Sequence, residues 1–568
     1  MFQFSRFDNR KSDSRIKIAS HRARDSLSRR HKTEKFLMKK DILSKDQIKH
    51  IAKLANLSLD DKELQIYTRQ LASVLNYMEI LQEVDTKHVP PTYQVLDRTT
   101  NIYREDVVGE CFSQKEAISQ GKKIYEGFFT TRNVFEEARV GNRTLEPSQR
   151  KVNDKYNAIL TTADPKGVVG HKDLFMTKGI ETTAGSRVLE GYIPQYNSTV
   201  VSNFEKAGLK TKYKLNQDAW GHGSSGENSD FGPTKNPWNT KKVAGGSSSG
   251  SVVVVATGKV DVATATDTCG SIRMPSSYCN VCGIKPTYGA VSRYGVIAFA
   301  SSLDCPGVLS NSVENLQKYF DLISAKDSRD ATSQSESREK KMGKLKRIIG
   351  VPMEFLGEGI DSEVKKIFLK AVEIFKKANY KIIDVSLPHT KYGIAAYYIL
   401  APTETASNLA RYDGVRYGND RSYFGPEAKR RIMLGTFVSS AGYTDRYYEK
   451  AARIRTLIIR DLEKAYDIVD AILAPVSPIP PFNIGEKVDD PLQLYLMDIY
   501  AAPASLSGTP SLAIPCGFTK DELPVGMQIM GPRWSEEMLF ELGEEYQKAT
   551  QWHKFRPNSK EMIYDKNW

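Results

Sequence analysis

The sequence predicts an α/β fold preceded by a small helical region. Three observations carry that expectation. Beyond residue 150, short β-type runs such as "KGVVGHKDLF" and "VDVATATDTCGS" alternate with helical runs such as "DSEVKKIFLKAVEIFKKANY". Upstream, "LSKDQIKHIAKLANLSLDDKELQIYTRQLASVLNYMEILQEVDT" carries the three-and-four spacing of amphipathic helices. Between the two, "VGNRTLEPSQRKVNDK" turns polar and marks a boundary.

The elements follow in order. Residues 1–40 hold 13 Lys/Arg against 4 Asp/Glu and no apolar block, which argues against a secretory signal. They read as a basic, disordered extension. An organellar transit peptide would be poorer in acids than this, and Met38 is an alternative start. Residues 41–140 begin with two or three helices. Ser44 and Asp60 are the expected N-caps, and Ile48, Ile51, Ala52 and Leu54, then Leu71, Val74, Leu75 and Met78, form the apolar faces. The proline-marked "DTKHVPPTYQVLDRTTNIYREDVV" cannot build its own core, so it is expected to lie across a partner surface. Residues 150–568 make the α/β domain, interrupted by the charged surface excursion "AKDSRDATSQSESREKKMGKLK".

Bulk properties bound the function. The chain is long enough for two to four domains, and its hydrophobic fraction of 40% suits a large core. No apolar run reaches the roughly 18 residues of a membrane span. The net charge is +13, of which residues 1–40 supply +9, so the folded body offers little case for a polyanion-binding surface. Six cysteines in 568 residues do not form a disulfide framework, which points to a reducing compartment. Cys279 and Cys282 form a CxxC, but no second pair completes a zinc site. No metal is expected.

Chemistry concentrates in two loops and one strand. "VAGGSSSGSVVVVATG" resembles a flexible linker in composition, yet it leads straight into an apolar run. Its GSSSG fits the nucleophile-elbow pattern centred on Ser248, but only His389 and His553 lie downstream to serve as a base. In "TATDTCGSIRMPSS", a strand end passes through a tight turn into a helix start. Such a turn aims the amides of Thr268, Cys269 and Gly270 at one point beside Ser271, an oxyanion-hole geometry. A serine nucleophile needs a base. Lys172 lies in the otherwise apolar "VVGHKDLF", where burial would favour its neutral, proton-accepting form. Alternatively its ammonium reaches water or pairs with Asp173.

Taken together, "KDLF…KGIETTAGSRVLEGY", "GGSSSGS" and "TDTCGSIRMPSSYCNVCGIKPTYGAVSRYGVIAFASSLD" resemble the amidase signature family in order and spacing. The resemblance implies a mixed β-sheet covered by helices and a Ser–cis-Ser–Lys triad: Ser271 as nucleophile, Ser247 as bridging serine and Lys172 as base. "GSSGENSDFGPTKNPW", "LARYDGVRYG" and "PVGMQIMG" are similar to the A-subunit branch, the glutaminase of the glutamyl-tRNA(Gln)/aspartyl-tRNA(Asn) amidotransferases. "KHIAKLANLSL" and "VLDRTTNIYRED" resemble their C subunit. The resemblance then implies a glutamine-hydrolysing component with no cofactor of its own. It also implies a B-subunit partner that uses ATP and Mg and binds the mischarged tRNA. Asp498, Arg431 and Tyr397 fall at the positions expected to bind glutamine, with Arg430 as a one-residue rival to Arg431. A stand-alone amidase is the alternative activity. A cytoplasmic protein is expected, with an organelle as alternative.

The sequence departs from the family pattern in ways that bear on turnover. Ser249 and Cys269 stand where the pattern has glycine, and His171 stands where it has an aliphatic residue. Val252–Val255 occupy a helix of the family, although β-branched residues favour strands.

Overall fold

The computed structural model describes residues 43–96, 103, 105–130, 152, 154–334 and 345–557. The basic extension 1–40, the boundary near residues 140–150 and part of the charged excursion lie outside them.

An eleven-stranded mixed sheet organises the chain. Its strands are β1 (Ile159–Thr162), β2 (Val169–Lys172), β3 (Thr211–Leu215), β4 (Val262–Asp267), β5 (Cys282–Lys285), β6 (Cys305–Ser310), β7 (Ile348–Pro352), β8 (Lys381–Val385), β9 (Ala471–Pro475), β10 (Ser511–Phe518) and β11 (Pro524–Met530). The spatial order is β8-β7-β9-β11-β10-β5-β6-β4-β2-β3-β1. β2 runs parallel to both β3 and β4, whereas β4–β6, β5–β6 and β10–β11 are antiparallel. Central strands are buried on both faces, so β4 reads "VATATD" without polar-out alternation. In β9, Ile472 and Ala474 enter one hydrophobic core and Ala471 and Leu473 the other, because successive side chains point to opposite faces.

The N-terminal helices form where their caps predict. Helix α1 (Lys45–Leu54) and helix α2 (Asp61–Met78) each open on a capping box, Ser44 with Gln47 and Asp60 with Glu63. Ile48, Ile51, Leu71, Val74, Leu75 and Met78 are buried as expected, but Leu54 ends α1 facing solvent at 56% exposure.

The valine run settles a conflict between propensity and packing. Helix α3 (Ser249–Ala256) contains Val252–Val255, all fully buried. Local preference for strand is a few tenths of a kcal/mol per residue, roughly. Burying a valine recovers about 1.5 kcal/mol or more, so packing wins. Gly250 lets the helix start sit against Ala158 and Asn216, where any Cβ would collide with backbone.

Four further helices shape the site: α4 (Arg273–Cys279), α5 (Gly393–Asn408), α6 (Pro426–Val438) and α7 (Lys450–Tyr466). The proline-marked segment crosses α7. Thr92 N–H donates to Ala452 O at 3.0 Å, Thr456 Oγ1 donates to Pro90 O at 2.6 Å, and Arg455 donates to Tyr93 O at 3.2 Å. The surface it lies on thus belongs to the same chain. Among the described residues, no helix is long and apolar enough to cross a membrane.

Candidate active site

Lys172 ends β2, the strand next to β4, and its side chain is fully buried. Its Nζ donates to Ser247 Oγ at 2.7 Å, Ser248 Oγ at 2.9 Å and Thr266 Oγ1 at 2.8 Å. Burial lowers its pKa to about 7, against the opposing pull of Asp218, Asp267 and Asp304. The pairing with Asp173 does not occur. Asp173 instead accepts from Thr183 N–H at 2.7 Å and lies 3.6 Å from Lys214 Nζ. His171 is on the opposite face of the strand, between Phe175 and Phe204. Burial holds its pKa down at about 3, so it is neutral and exerts no charge on Lys172.

The serine-rich segment is no spacer. Ser247, Ser248, Ser249 and Ser251 are all fully buried, and the Gly246–Ser247 peptide is cis. Gly246 is required because a Cβ there would run into Asp218 Oδ2. Ser249 donates to Thr234 Oγ1 at 3.0 Å, so its hydroxyl is absorbed by the scaffold.

The third component is the turn after β4. Asp267 organises it: Oδ1 accepts Gly270 N–H at 2.6 Å, and Oδ2 accepts Ile272 N–H at 3.1 Å. Arg273 locks the carboxylate through Nε at 3.0 Å and a terminal nitrogen at 3.0 Å, with Gln528 and Ser505 satisfying its other donors. Burial opposes ionisation of Asp267, but the Arg273 charge and these hydrogen bonds win and hold its pKa at about 2. Thr268 Oγ1 donates to Asp304 Oδ1 at 2.8 Å. One expectation changes here. Gly270 N–H is committed to Asp267, whereas the amides of Thr268, Cys269 and Ser271 have no acceptor among the described residues. Gly270 has φ +119°, the conformation only glycine takes readily, and Cys269 is not in the positive-φ region. Its Cβ therefore costs no backbone strain. Its thiol is buried and held protonated by that burial, with Asp498 nearby adding to the effect. Ser248 N–H donates to Ser271 O at 3.3 Å, which ties the serine loop to this turn.

A buried polar cluster adjoins the turn. A Cβ on Gly270 would come 3.0 Å from Asp498 Oδ1, so that carboxylate faces the turn directly. Asp498 Oδ2 accepts from Ser224 Oγ, and Oδ1 has no partner among the described residues. Burial raises the Asp498 pKa to about 7. Arg431 is 1% exposed and lies over the rings of Phe299, Tyr398 and Tyr495 at 5.1–5.4 Å. It donates to Glu427 Oε1 at 2.7 Å and Gly223 O at 2.8 Å. Tyr397 is buried within the fields of Cys269, Arg431 and Asp498. Arg430 points the other way, donating to Gln70 Oε1 of α2 at 3.0 Å.

Ser248, singled out in the sequence only as the centre of an elbow pattern, and several residues not singled out there take part. Thr266 and Ser248 complete the hydroxyl cage around Lys172, while Asp304 holds Thr268, Ser224 holds Asp498 and Glu427 holds Arg431. Thr266 alone carried a usable signal, since it shares a strand face with Thr264 at the end of β4. Cys279 and Cys282 face different partners, Ala244 O and Gln547 Nε2, and no group of three or more metal-ligating side chains occurs among the described residues.

Comparison with known proteins agrees with this geometry. The amidase family model matches residues 167–540, and the Glu-tRNAGln amidotransferase C subunit model matches residues 59–130. The chain is similar to the glutamyl-tRNA(Gln) amidotransferase A subunit of Myxococcus xanthus, 48% identical over 67% of this chain and 82% of that one. Its counterpart in Methanosarcina mazei is 46% identical over 68% and 85%. Among solved structures, the glutamyl-tRNA(Gln) amidotransferase A subunit of Thermotoga maritima superposes with a TM-score of 0.61 at 38% identity, covering 70% of this chain and 88% of that one. A buried lysine bonded to a serine at a cis peptide, beside a second serine on an amide-rich turn, sits wholly inside the matched segment: the chain belongs to the amidase family.

Proposed function

We propose that the chain is the glutamine-hydrolysing component of a tRNA-dependent amidotransferase, supplying ammonia for conversion of Glu-tRNA(Gln) to Gln-tRNA(Gln), Asp-tRNA(Asn) to Asn-tRNA(Asn), or both. We read residues 41–140 as its C-subunit-like part and 150–568 as its amidase domain. The observation that carries the activity is Lys172, fully buried and hydrogen-bonded to Ser247 at 2.7 Å beside the Ser271 turn.

Neutral Lys172 accepts a proton from Ser247 Oγ, which takes one from Ser271 Oγ as that oxygen attacks the side-chain amide carbon of glutamine. The carbonyl oxygen becomes an oxyanion and is received by the amides of Thr268, Cys269 and Ser271. Donors placed in advance at such a position are each worth about 3–4 kcal/mol of transition-state stabilisation. The proton returns from Lys172 through Ser247 to the leaving nitrogen, the C–N bond breaks, and ammonia departs. Water then cleaves the γ-glutamyl ester, releasing glutamate and restoring the Ser271 hydroxyl. Asp498 and Arg431 would receive the α-ammonium and α-carboxylate, with Tyr397 closing the pocket. A B-subunit-like partner would activate the tRNA-linked carboxyl with ATP and Mg and receive the ammonia.

Ammonia release from glutamine, asparagine and simple aliphatic or aryl amides tests this, with the chain alone and with a B-subunit partner plus charged tRNA. Turnover confined to glutamine or asparagine, raised by the partner and abolished by Ser271→Ala, is the expected result. Equal turnover of simple amides, indifferent to the partner, would make the chain a stand-alone amidase. No turnover in any arm would make it a non-catalytic scaffold.

A further inference from the structure

Arg431 lies in the polar cluster beside the Ser271 turn with its position set from behind. Glu427, one turn earlier on α6, gives Oε1 to both Arg431 Nε at 2.7 Å and Tyr495 Oη at 3.0 Å. Its second oxygen is paired with Arg430. Arg430 Nε in turn donates to Gln70 Oε1 at 3.0 Å. Gln70 lies on α2 and is 5% exposed, and its amide nitrogen reaches Asp489 O at 3.5 Å.

The contact is part of a regular seam. Glu63, Tyr67 and Gln70 are spaced four and three residues apart, so they share one face of α2. Each meets the start of α6. Lys429 Nζ donates to Glu63 Oε1 at 2.6 Å, Tyr67 Oη donates to Pro426 O at 3.2 Å, and Gln70 takes Arg430. Arg421, just before α6, donates to Ala55 O at 2.9 Å at the end of α1. The first turn and a half of α6 is therefore gripped by the N-terminal helices, and Arg431 is the next residue after the grip.

We propose that Gln70 is a positioning residue for the substrate pocket. Acting through Arg430 and Glu427, it fixes the Arg431 guanidinium where the substrate carboxylate binds, so the N-terminal helical segment completes the pocket that the amidase domain carries. The idea rests on the reading of Arg431 as the carboxylate-binding residue. The physical reason is the shared carboxylate. With Gln70 holding Arg430, the two arginines divide the oxygens of Glu427 between them. Without it, Arg430 is free to compete for Oε1, and Arg431 loses its fixed rotamer.

The test is steady-state hydrolysis by the full chain of glutamine and of 4-aminobutanamide, which is glutamine lacking its α-carboxylate. Gln70→Leu removes the acceptor and Gln70→Glu retains one. The expected result is that Gln70→Leu raises KM for glutamine by about five- to tenfold with kcat little changed. KM for 4-aminobutanamide stays at the wild-type value, and Gln70→Glu behaves as wild type toward both. A KM rise of equal size on both substrates, a fall in kcat alone, or no change at all would overturn the relay. Wild-type enzyme that does not prefer glutamine over 4-aminobutanamide would instead remove the carboxylate-binding role of Arg431, and the relay with it.

Discussion

Lys172 Nζ stands 2.7 Å from Ser247 Oγ, and both side chains are wholly removed from solvent. Nothing in that cage supplies a formal counter-charge by direct contact: the three neighbours are the hydroxyls of Ser247, Ser248 and Thr266, which can accept from the amine or donate to it. A buried amine in such surroundings is driven toward its neutral form, which is the form a proton acceptor needs.

The pH dependence follows. The Lys172 pKa falls from 10.5 to about 7 on burial, so the neutral base is lost as pH drops through 7. We expect kcat for glutamine to fall about tenfold for each unit below that midpoint. The same limb should appear with simple amides, which do not use Asp498. A flat kcat profile between pH 5 and pH 8, measured as ammonia release, would contradict this.

The same burial carries a stability cost with a definite sign. Between pH 7 and pH 10.5 the unfolded chain binds the Lys172 proton and the folded chain does not, so this group's destabilisation is complete below 7 and fades toward 10.5. Lys172→Met should abolish turnover and still be the more stable protein at pH 7, by on the order of 1–3 kcal/mol. Urea unfolding at pH 7 and pH 10 would show that advantage shrinking at the higher pH.

Arg273 and Asp267 should behave in the opposite way. Arg273→Met leaves a buried carboxylate without its cation and loosens the turn that carries Ser271. The expected loss is about 3–5 kcal/mol of folding stability, together with activity. Thermal unfolding of the variant gives the answer.

Much of the site is legible in the sequence itself, and the reasons differ by element. Lys172 and Ser271 stand out locally, as a lysine in an apolar run and a serine at a tight turn between strand and helix, whereas the choice of Ser247 over Ser248 rests on the family resemblance. The capped helices α1 and α2 follow directly from Ser44 and Asp60. What is not legible depends on three-dimensional partners. That Gly270 N–H serves Asp267, that Arg430 turns to Gln70 while Arg431 lies over Phe299, Tyr398 and Tyr495, and that Leu54 stays exposed are each decided by a segment distant in sequence or by turn geometry. The helix through Val252–Val255 shows propensity yielding to complete burial.

Thiol reactivity offers an independent check on the packing. Cys111 is exposed, and the other five cysteines are buried. Burial pushes the thiols of Cys269 and Cys279 well up and that of Cys282 up to about 12. A disulfide reagent applied to the native protein should modify Cys111 alone. Rapid labelling of Cys269 would mean that the turn from Thr268 to Ser271 is open.

In the proposed reaction Ser271 is the nucleophile and Lys172 activates it through Ser247. Labelling with the glutamine analogue 6-diazo-5-oxo-L-norleucine, followed by peptide mapping, puts this to the test. We predict one adduct, on Ser271, protected by glutamine and lost in Lys172→Met and Ser247→Ala. An adduct on Ser248 or Cys269, or undiminished labelling of Ser271 in Lys172→Met, would contradict the assignment.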